Sequence, residues 1–250
     1  MDIRKQIQKI EREACRGEYG AWRKNFCRNY REVRDRICRQ ASHEQLLYLD
    51  SIGASISCRR GCAFCCSQYI SVPLAHGLVI ADYLYTRNEL IEPFMLRFEK
   101  WQRVVSGSAA LQALEQYTTF SPQVRQTPQE LLKQYALMDV PCPFLVGHAC
   151  VIYAVRPICC ASHVSVTPPE ICRPENADQA LISEATPSTE GLRELAQLGE
   201  RELFMHQETL PRLVYRMLTQ GLPEICRRIQ DCGAKRIPFA NSLFAQSGCR

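Results

Sequence analysis

The sequence predicts a mainly α protein, a helical scaffold around an irregular, cysteine-rich metal-binding centre. Three observations carry this. Apolar residues recur at three- and four-residue steps over most of the chain, the period of one helix face. Residues 141–175 are dense in proline and cysteine, which breaks any long helix. Nine of the fifteen cysteines fall in two groups, Cys58, Cys62, Cys65 and Cys66, then Cys142, Cys150, Cys159, Cys160 and Cys172. Two such groups suggest one metal site closed by the fold.

Taken in order, residues 2–14 place Ile3, Ile7, Ile10 and Ala14 on one helical stripe, and Gly17 and Gly20 interrupt the pattern. A longer helix follows with Trp22, Phe26, Tyr30, Val33 and Ile37 in line. Such an aromatic stripe at helical spacing reads as core. Ser42 with Gln45 has the form of a capping box that starts another helix at Leu46. Gly61 lets the chain turn inside the first cysteine group. Pro73 suits the first turn of a helix bearing Leu74, Leu78, Val79 and Leu84. Helical patterns continue over 88–105 and 108–118, and Thr127-Pro128-Gln129-Glu130 marks a further start. One short strand is expected at 151–155, with Tyr153 packed in the core. Helices resume over 188–207, 211–220 and 223–231, with Gly221 and Gly233 at C-caps. Four regions result: a basic amphipathic N-terminal region (1–50), the cysteine core (51–175), C-terminal helices packing on it (176–235) and a loosely ordered tail (236–250).

Composition narrows the function classes. The formal net charge is +5. It is concentrated in residues 1–60, which hold 14 basic and 8 acidic side chains. Because the acids are interspersed, this reads as a solvated helix face open to a protein partner, and nucleic acid is not expected. There is no long apolar run and no apolar leader at the N-terminus, so the expected location is cytoplasmic, with no membrane partner. In a reducing compartment, closely spaced cysteines point to metal or redox chemistry rather than disulfides. Cys15, Cys27 and Cys38 stand apart and read as packing or surface thiols.

Thiolate sulfur is a soft donor suited to zinc or to iron in an iron–sulfur cluster. Cys58, Cys62 and Cys65 are spaced for a compact turn to direct three sulfurs at one centre, with Phe64 excluding water and Arg59 and Arg60 offsetting charge. The same spacing matches the radical S-adenosylmethionine signature, whose barrel would need alternating strands and helices after the motif. Arg156 offers planar donors to sulfurs or carbonyls. His148 and His163 are further ligand candidates. No glycine-rich nucleotide loop, nucleophile elbow or paired-histidine protease motif occurs.

Both groups together carry a more specific likeness. Cys58-x3-Cys62-x2-Cys65-Cys66, Cys142-Pro143-Phe144-Leu145, Cys150-Val151-Ile152-Tyr153 and Arg156-Pro157-x-Cys159 resemble the cysteine-cluster family described as a zinc- or iron-chelating domain. They are also similar to the cysteine-rich part of flagellin lysine methylases. The likeness runs from about 55 to 172. It implies ligands among Cys58, Cys62, Cys65, Cys66, Cys142, Cys150, Cys159, Cys160 and Cys172, holding an iron–sulfur cluster (4Fe-4S favoured) or zinc. The family has arginine where Cys160 stands here, so the choice between Cys159 and Cys160 stays open. Three function classes follow: a metal-binding protein; a cluster-dependent transferase of the protein lysine methylase kind, or a radical S-adenosylmethionine enzyme; and an interaction protein with structural zinc.

Overall fold

A computed structural model describes residues 2–59, 61–117 and 128–231. The chain forms α1 (Ile3–Ala14), α2 (Gly17–Ser51), β1 (Ser71–Pro73), α3 (Leu74–Tyr85), α4 (Ile91–Val105), α5 (Ala109–Tyr117) and α6 (Pro128–Leu137). It continues as β2 (Leu145–Val146), β3 (Ala149–Cys150), α7 (Ile158–Ser162), β4 (His163–Ser165) and β5 (Ile182–Glu184). It closes with α8 (Thr189–Ala196), α9 (Glu202–Met205), β6 (Gln207–Thr209), α10 (Leu210–Gln220) and α11 (Leu222–Asp231). The fold is mainly α, as the periodicity indicates. Among the described residues the strands form only three antiparallel pairs, β1–β6, β2–β3 and β4–β5. The alternating strands and helices that a radical enzyme's barrel needs are not among these elements.

Asp2 caps α1 by accepting the Arg4 N–H at 3.0 Å. The corner between α1 and α2 is tight, since a Cβ at Gly20 would lie 2.6 Å from the Cys15 carbonyl carbon. α2 then runs unbroken for 35 residues, about 52 Å at 1.5 Å per residue. It buries Phe26, Tyr30, Val33, Ile37, Ala41 and Leu49 along one face. The helix start expected at Ser42 does not occur. Gln45 does not cap a new helix; its amide reaches across to the Ser162 carbonyl and the Ser183 hydroxyl at 3.4 and 3.1 Å. Buried packing thus carries the helix through a local start signal.

α3 is apolar nearly all round and lies at the centre, with Leu74, Ala75, Ile80 and Leu84 fully buried. It packs on α2 and α10. Pro73 ends β1 and precedes the helix instead of opening its first turn. One hydrophobic core runs from Ile7 to Ile225 and takes in Phe144, Ile152 and Val155 from the cysteine region. Phe144 stacks on Phe94 with centroids 4.5 Å apart, and this anchors the second cysteine motif to α4.

Three local expectations need correction. Residues 153–155 form a 3-10 turn, and the strands of this region are β2, β3 and β4. Tyr153 is 57% exposed, not core, and lies under the Arg156 guanidinium at 4.1 Å. The helix expected over 188–207 divides into α8 and α9: Gln197 ends α8, Gly199 in the break packs so closely that a Cβ there would lie 2.9 Å from the Phe26 ring, and beyond α9 Gln207–Thr209 pair with β1. Gly221 ends α10 with a φ of 81°, as a C-cap should. Thr127, Gly233 and the tail from 236 lie outside the described residues, as does Arg60. Among the described residues no helix is long and apolar enough to cross a membrane.

Candidate metal centre

The first cysteine group is a knot of short turns. Gly61 has a φ of 90°, which suits glycine. The Cys62 N–H bonds the Arg59 carbonyl, the Cys66 N–H bonds the Ala63 carbonyl, and Phe64–Ser67 makes a 3-10 turn. The second group meets it through the backbone: the Cys142 N–H donates to the Cys66 carbonyl at 2.8 Å. Cys150 enters by the β2–β3 hairpin, paired with Leu145. Cys172 arrives on the 3-10 turn Pro169–Cys172, which packs against Phe64–Ser67. Arg173 lies over the Phe64 ring at 5.5 Å. β4 closes the side, since the Ser165 N–H donates to the Cys58 sulfur at 3.1 Å and the Ser57 N–H donates to the Ser165 carbonyl at 2.8 Å.

The sulfurs act on one another in two overlapping sets. Burial pushes the Cys58 and Cys62 thiols up, and charge from Cys65 and Cys172 adds to this. Contact with the Cys66 thiol, then burial, pushes Cys65 up. Burial pushes Cys142 up to about 12, with Cys150 and Cys65 contributing, and burial raises Cys150 too. Against burial, backbone N–H groups favour the thiolate at several sulfurs: Ser165 at Cys58, Phe64 at Cys62, Phe144 at Cys142 and Ile152 at Cys150. Three of these donors stand two residues after the cysteine they serve, a repeated local turn. Arg156 adds positive charge near Cys58 and Cys150. Within α7 the Cys160 thiol donates to Cys159, which lowers Cys159 and raises Cys160. Charge from Cys142 and Cys65 raises Cys160 further.

The two groups of cysteines therefore meet in the fold. Among the described residues no three His, Cys, Asp or Glu side chains already close on one point as ligands of a single ion. The donor chemistry nevertheless fits a soft metal: clustered sulfurs, N–H groups aimed at them and a nearby guanidinium. Cys15, Cys27 and Cys226 stand apart from these contacts; Cys27 is buried against the Leu78 carbonyl, and Cys15 is exposed. Cys38 of α2 lines a small cavity with Ile158, Ala161 and Ser162 of α7, and its thiol is pushed up by burial with the charge of Cys159 adding. Cys232 and Cys249 lie outside the described residues. His148 is exposed in the β2–β3 turn. His163 is held by Glu184. Burial pulls its imidazole down, but the Glu184 hydrogen bond and the charges of Cys65, Glu184 and Cys159 together raise it.

Two supporting residues carry no motif. Arg34 and His76 are 5% and 2% exposed, and between them they take three consecutive carbonyl oxygens. Arg34 donates to Ala154 at 3.1 Å and Arg156 at 2.6 Å, and His76 Nε2 donates to Val155 at 3.0 Å. A carbonyl can only accept, so His76 Nδ1 is the acceptor for the Tyr30 hydroxyl at 3.1 Å. This clamp fixes the chain directly before Pro157 and α7. Gln45 holds the far end of α7 at Ser162. The sequence signal for Arg34 and Gln45 was their place on the apolar face of α2, where a polar side chain needs a partner.

Comparisons with protein-family models, curated proteins and solved structures gave no match.

Proposed function

We propose that the protein binds metal through cysteines of both motifs, as a four-iron, four-sulfur cluster or as zinc. The observation that carries this reading is the joining of the two groups at Cys142 N–H and Cys66 C=O, with backbone N–H groups directed at the sulfurs. Thiols left protonated and buried are inert. A soft cation replaces their protons and turns the clustering to use. Cys58, Cys62, Cys65, Cys142, Cys150 and Cys159 are the principal donors in this reading, with Cys66, Cys160 and Cys172 adjoining them. One structural zinc needs four ligands, and nine sulfurs favour the cluster. Such a cluster would supply one-electron chemistry or an open metal position. The resemblance to the cysteine-cluster family supports the same reading.

The chain's own residues have defined tasks. Ser165 donates an N–H bond to the Cys58 sulfur, the N–H groups of Phe64, Phe144 and Ile152 favour the thiolates of Cys62, Cys142 and Cys150, Arg156 offsets charge, and the Arg34–His76 clamp sets the start of α7. The basic N-terminal helices are partly paired within the molecule, Arg4 with Glu92 and Arg36 with Glu194. Anaerobic purification with iron, zinc and acid-labile sulfide analysis tests the proposal. Iron with matching sulfide and a visible chromophore is expected. One tight zinc without sulfide would select the structural-zinc class. No bound metal after anaerobic reconstitution with iron and sulfide, or with zinc, would overturn the reading.

A further inference from the structure

We propose that His163, oriented by Glu184, supplies a nitrogen ligand, so that the centre has a mixed sulfur and nitrogen donor set. This rests on the metal-binding reading above and adds to it.

The position of His163 is set by backbone bonds. It is the first residue of β4 and the C-cap of α7, and its N–H closes on the Cys159 carbonyl. It therefore stands one helical turn beyond Cys159, the spacing at which side chains adjoin. Two residues later the Ser165 N–H bonds the Cys58 sulfur. That contact is made by the backbone, so it places the β4 chain itself against Cys58. One three-residue strand thus touches Cys159 at one end and Cys58 at the other, the two halves of the centre.

The orientation is set by a side chain. β4 and β5 pair His163 directly with Glu184. His163 Nδ1 lies 3.3 Å from Glu184 Oε1, with the imidazole 11% exposed. A carboxylate accepts, so Nδ1 carries a proton, and in the neutral imidazole that binds metal the lone pair is on Nε2. Nε2 has no hydrogen-bond partner among the described residues. A histidine whose one nitrogen is tied to a carboxylate while the other is free is the arrangement that surrounds metal-bound imidazole. The competing account is a structural His–Glu pair with Nε2 idle. Against it, the backbone closure of His163 on Cys159 brings the two side chains to one turn of chain, and the charges of Cys65 and Cys159 both reach the ring.

The chemical consequence concerns charge. Imidazole binds as a neutral donor where a thiolate would bring a negative charge. With zinc the set corresponds to three cysteines and one histidine. With an iron–sulfur cluster, histidine in place of cysteine raises the reduction potential.

The test uses the full chain, loaded anaerobically with iron and sulfide or with zinc chloride. For iron the readout is pulsed electron paramagnetic resonance of the reduced cluster, with and without 15N-histidine. For zinc it is the count of nitrogen and sulfur scatterers in X-ray absorption. Wild type should show one imidazole nitrogen, lost in His163→Ala and His163→Gln and kept in His148→Ala. Glu184→Gln should keep the nitrogen, because the amide oxygen still accepts from Nδ1. A sulfur-only shell in wild type, or a nitrogen signal that survives both His163 variants or vanishes in His148→Ala, overturns the proposal and leaves metal binding intact. Wild type that takes up neither iron nor zinc overturns the metal-binding reading itself. If His163→Ala does not fold, the labelled wild type and His163→Gln still decide.

Discussion

Replacing His76 by leucine keeps a side chain of similar bulk in α3 but removes both polar atoms of the ring. The Tyr30 hydroxyl then loses its acceptor and the Val155 carbonyl its donor. Both residues are deeply buried, at 2% and 0% exposure, so water cannot take over. Each orphaned group costs about 1–3 kcal/mol, and the expected loss is about 2–5 kcal/mol. The cycle with Tyr30→Phe isolates one half of the bond. Removing the hydroxyl from the His76→Leu background removes one orphan, so the double variant should recover about 1 kcal/mol relative to additivity. Urea unfolding under reducing conditions, followed by far-UV circular dichroism, measures this, with the m-value as a check on the unfolded state. A loss below about 1 kcal/mol, or strict additivity in the cycle, would refute the hydrogen-bond assignment and the fixed tautomer with it.

The same residue sets a pH response. Burial first, with Arg34 adding to it, lowers His76 to about 4 in the folded protein, against about 6.5 in an unfolded chain. The unfolded state binds more protons between these values, so this stability is full above 6.5 and is lost as pH falls. The loss should reach about 2 kcal/mol by pH 5, seen as wild-type behaviour missing from His76→Leu. In the core, Gly77→Ala would place a Cβ 2.6 Å from Leu213 Cδ2 and Cγ. It should cost about 1–3 kcal/mol in urea unfolding, and Leu213→Ala in the same chain should relieve the overlap. At the centre, Cys142→Ser should remove most bound metal by elemental analysis, whereas Cys15→Ser should leave the metal-to-protein ratio unchanged. Equal retention in both would count against the ligand assignment.

The helical character was readable because burial on one face imposes a period, as in α1 and along Phe26, Tyr30, Val33 and Ile37 of α2. Gly61 and Gly221 were readable because a positive φ selects glycine. What escaped was set by distant partners. Ser42 and Gln45 satisfy a local start rule, yet packing keeps α2 helical and sends Gln45 to Ser162. Residues 151–155 have strand-forming side chains, but only the Val151 N–H extends the hairpin, to the Phe144 carbonyl, and the Ala154 and Val155 carbonyls go to Arg34 and His76 instead. The three strand pairs involve two or three residues each, too few to print an alternation. That two separated cysteine groups would meet was legible from their spacing. The difference between Cys159 and Cys160 was not, because it depends on which thiol donates within α7. The pairing of His163 with Glu184 depends on β-register across 21 residues.

The clamp on α2 also imposes an order in time. Arg34 finds its carbonyl partners 120 and 122 residues further along the chain. At roughly 5–20 residues per second, the stretch of about 95 residues between Cys66 and Cys160 takes about 5–20 s to leave the ribosome. For that interval the first four thiols have emerged while α7 has not, and no clamp holds the missing half. They are then open to oxidants and to stray metal. The meeting of the two cysteine groups is therefore a late event of biosynthesis, which cannot be completed before a five-residue helix arrives.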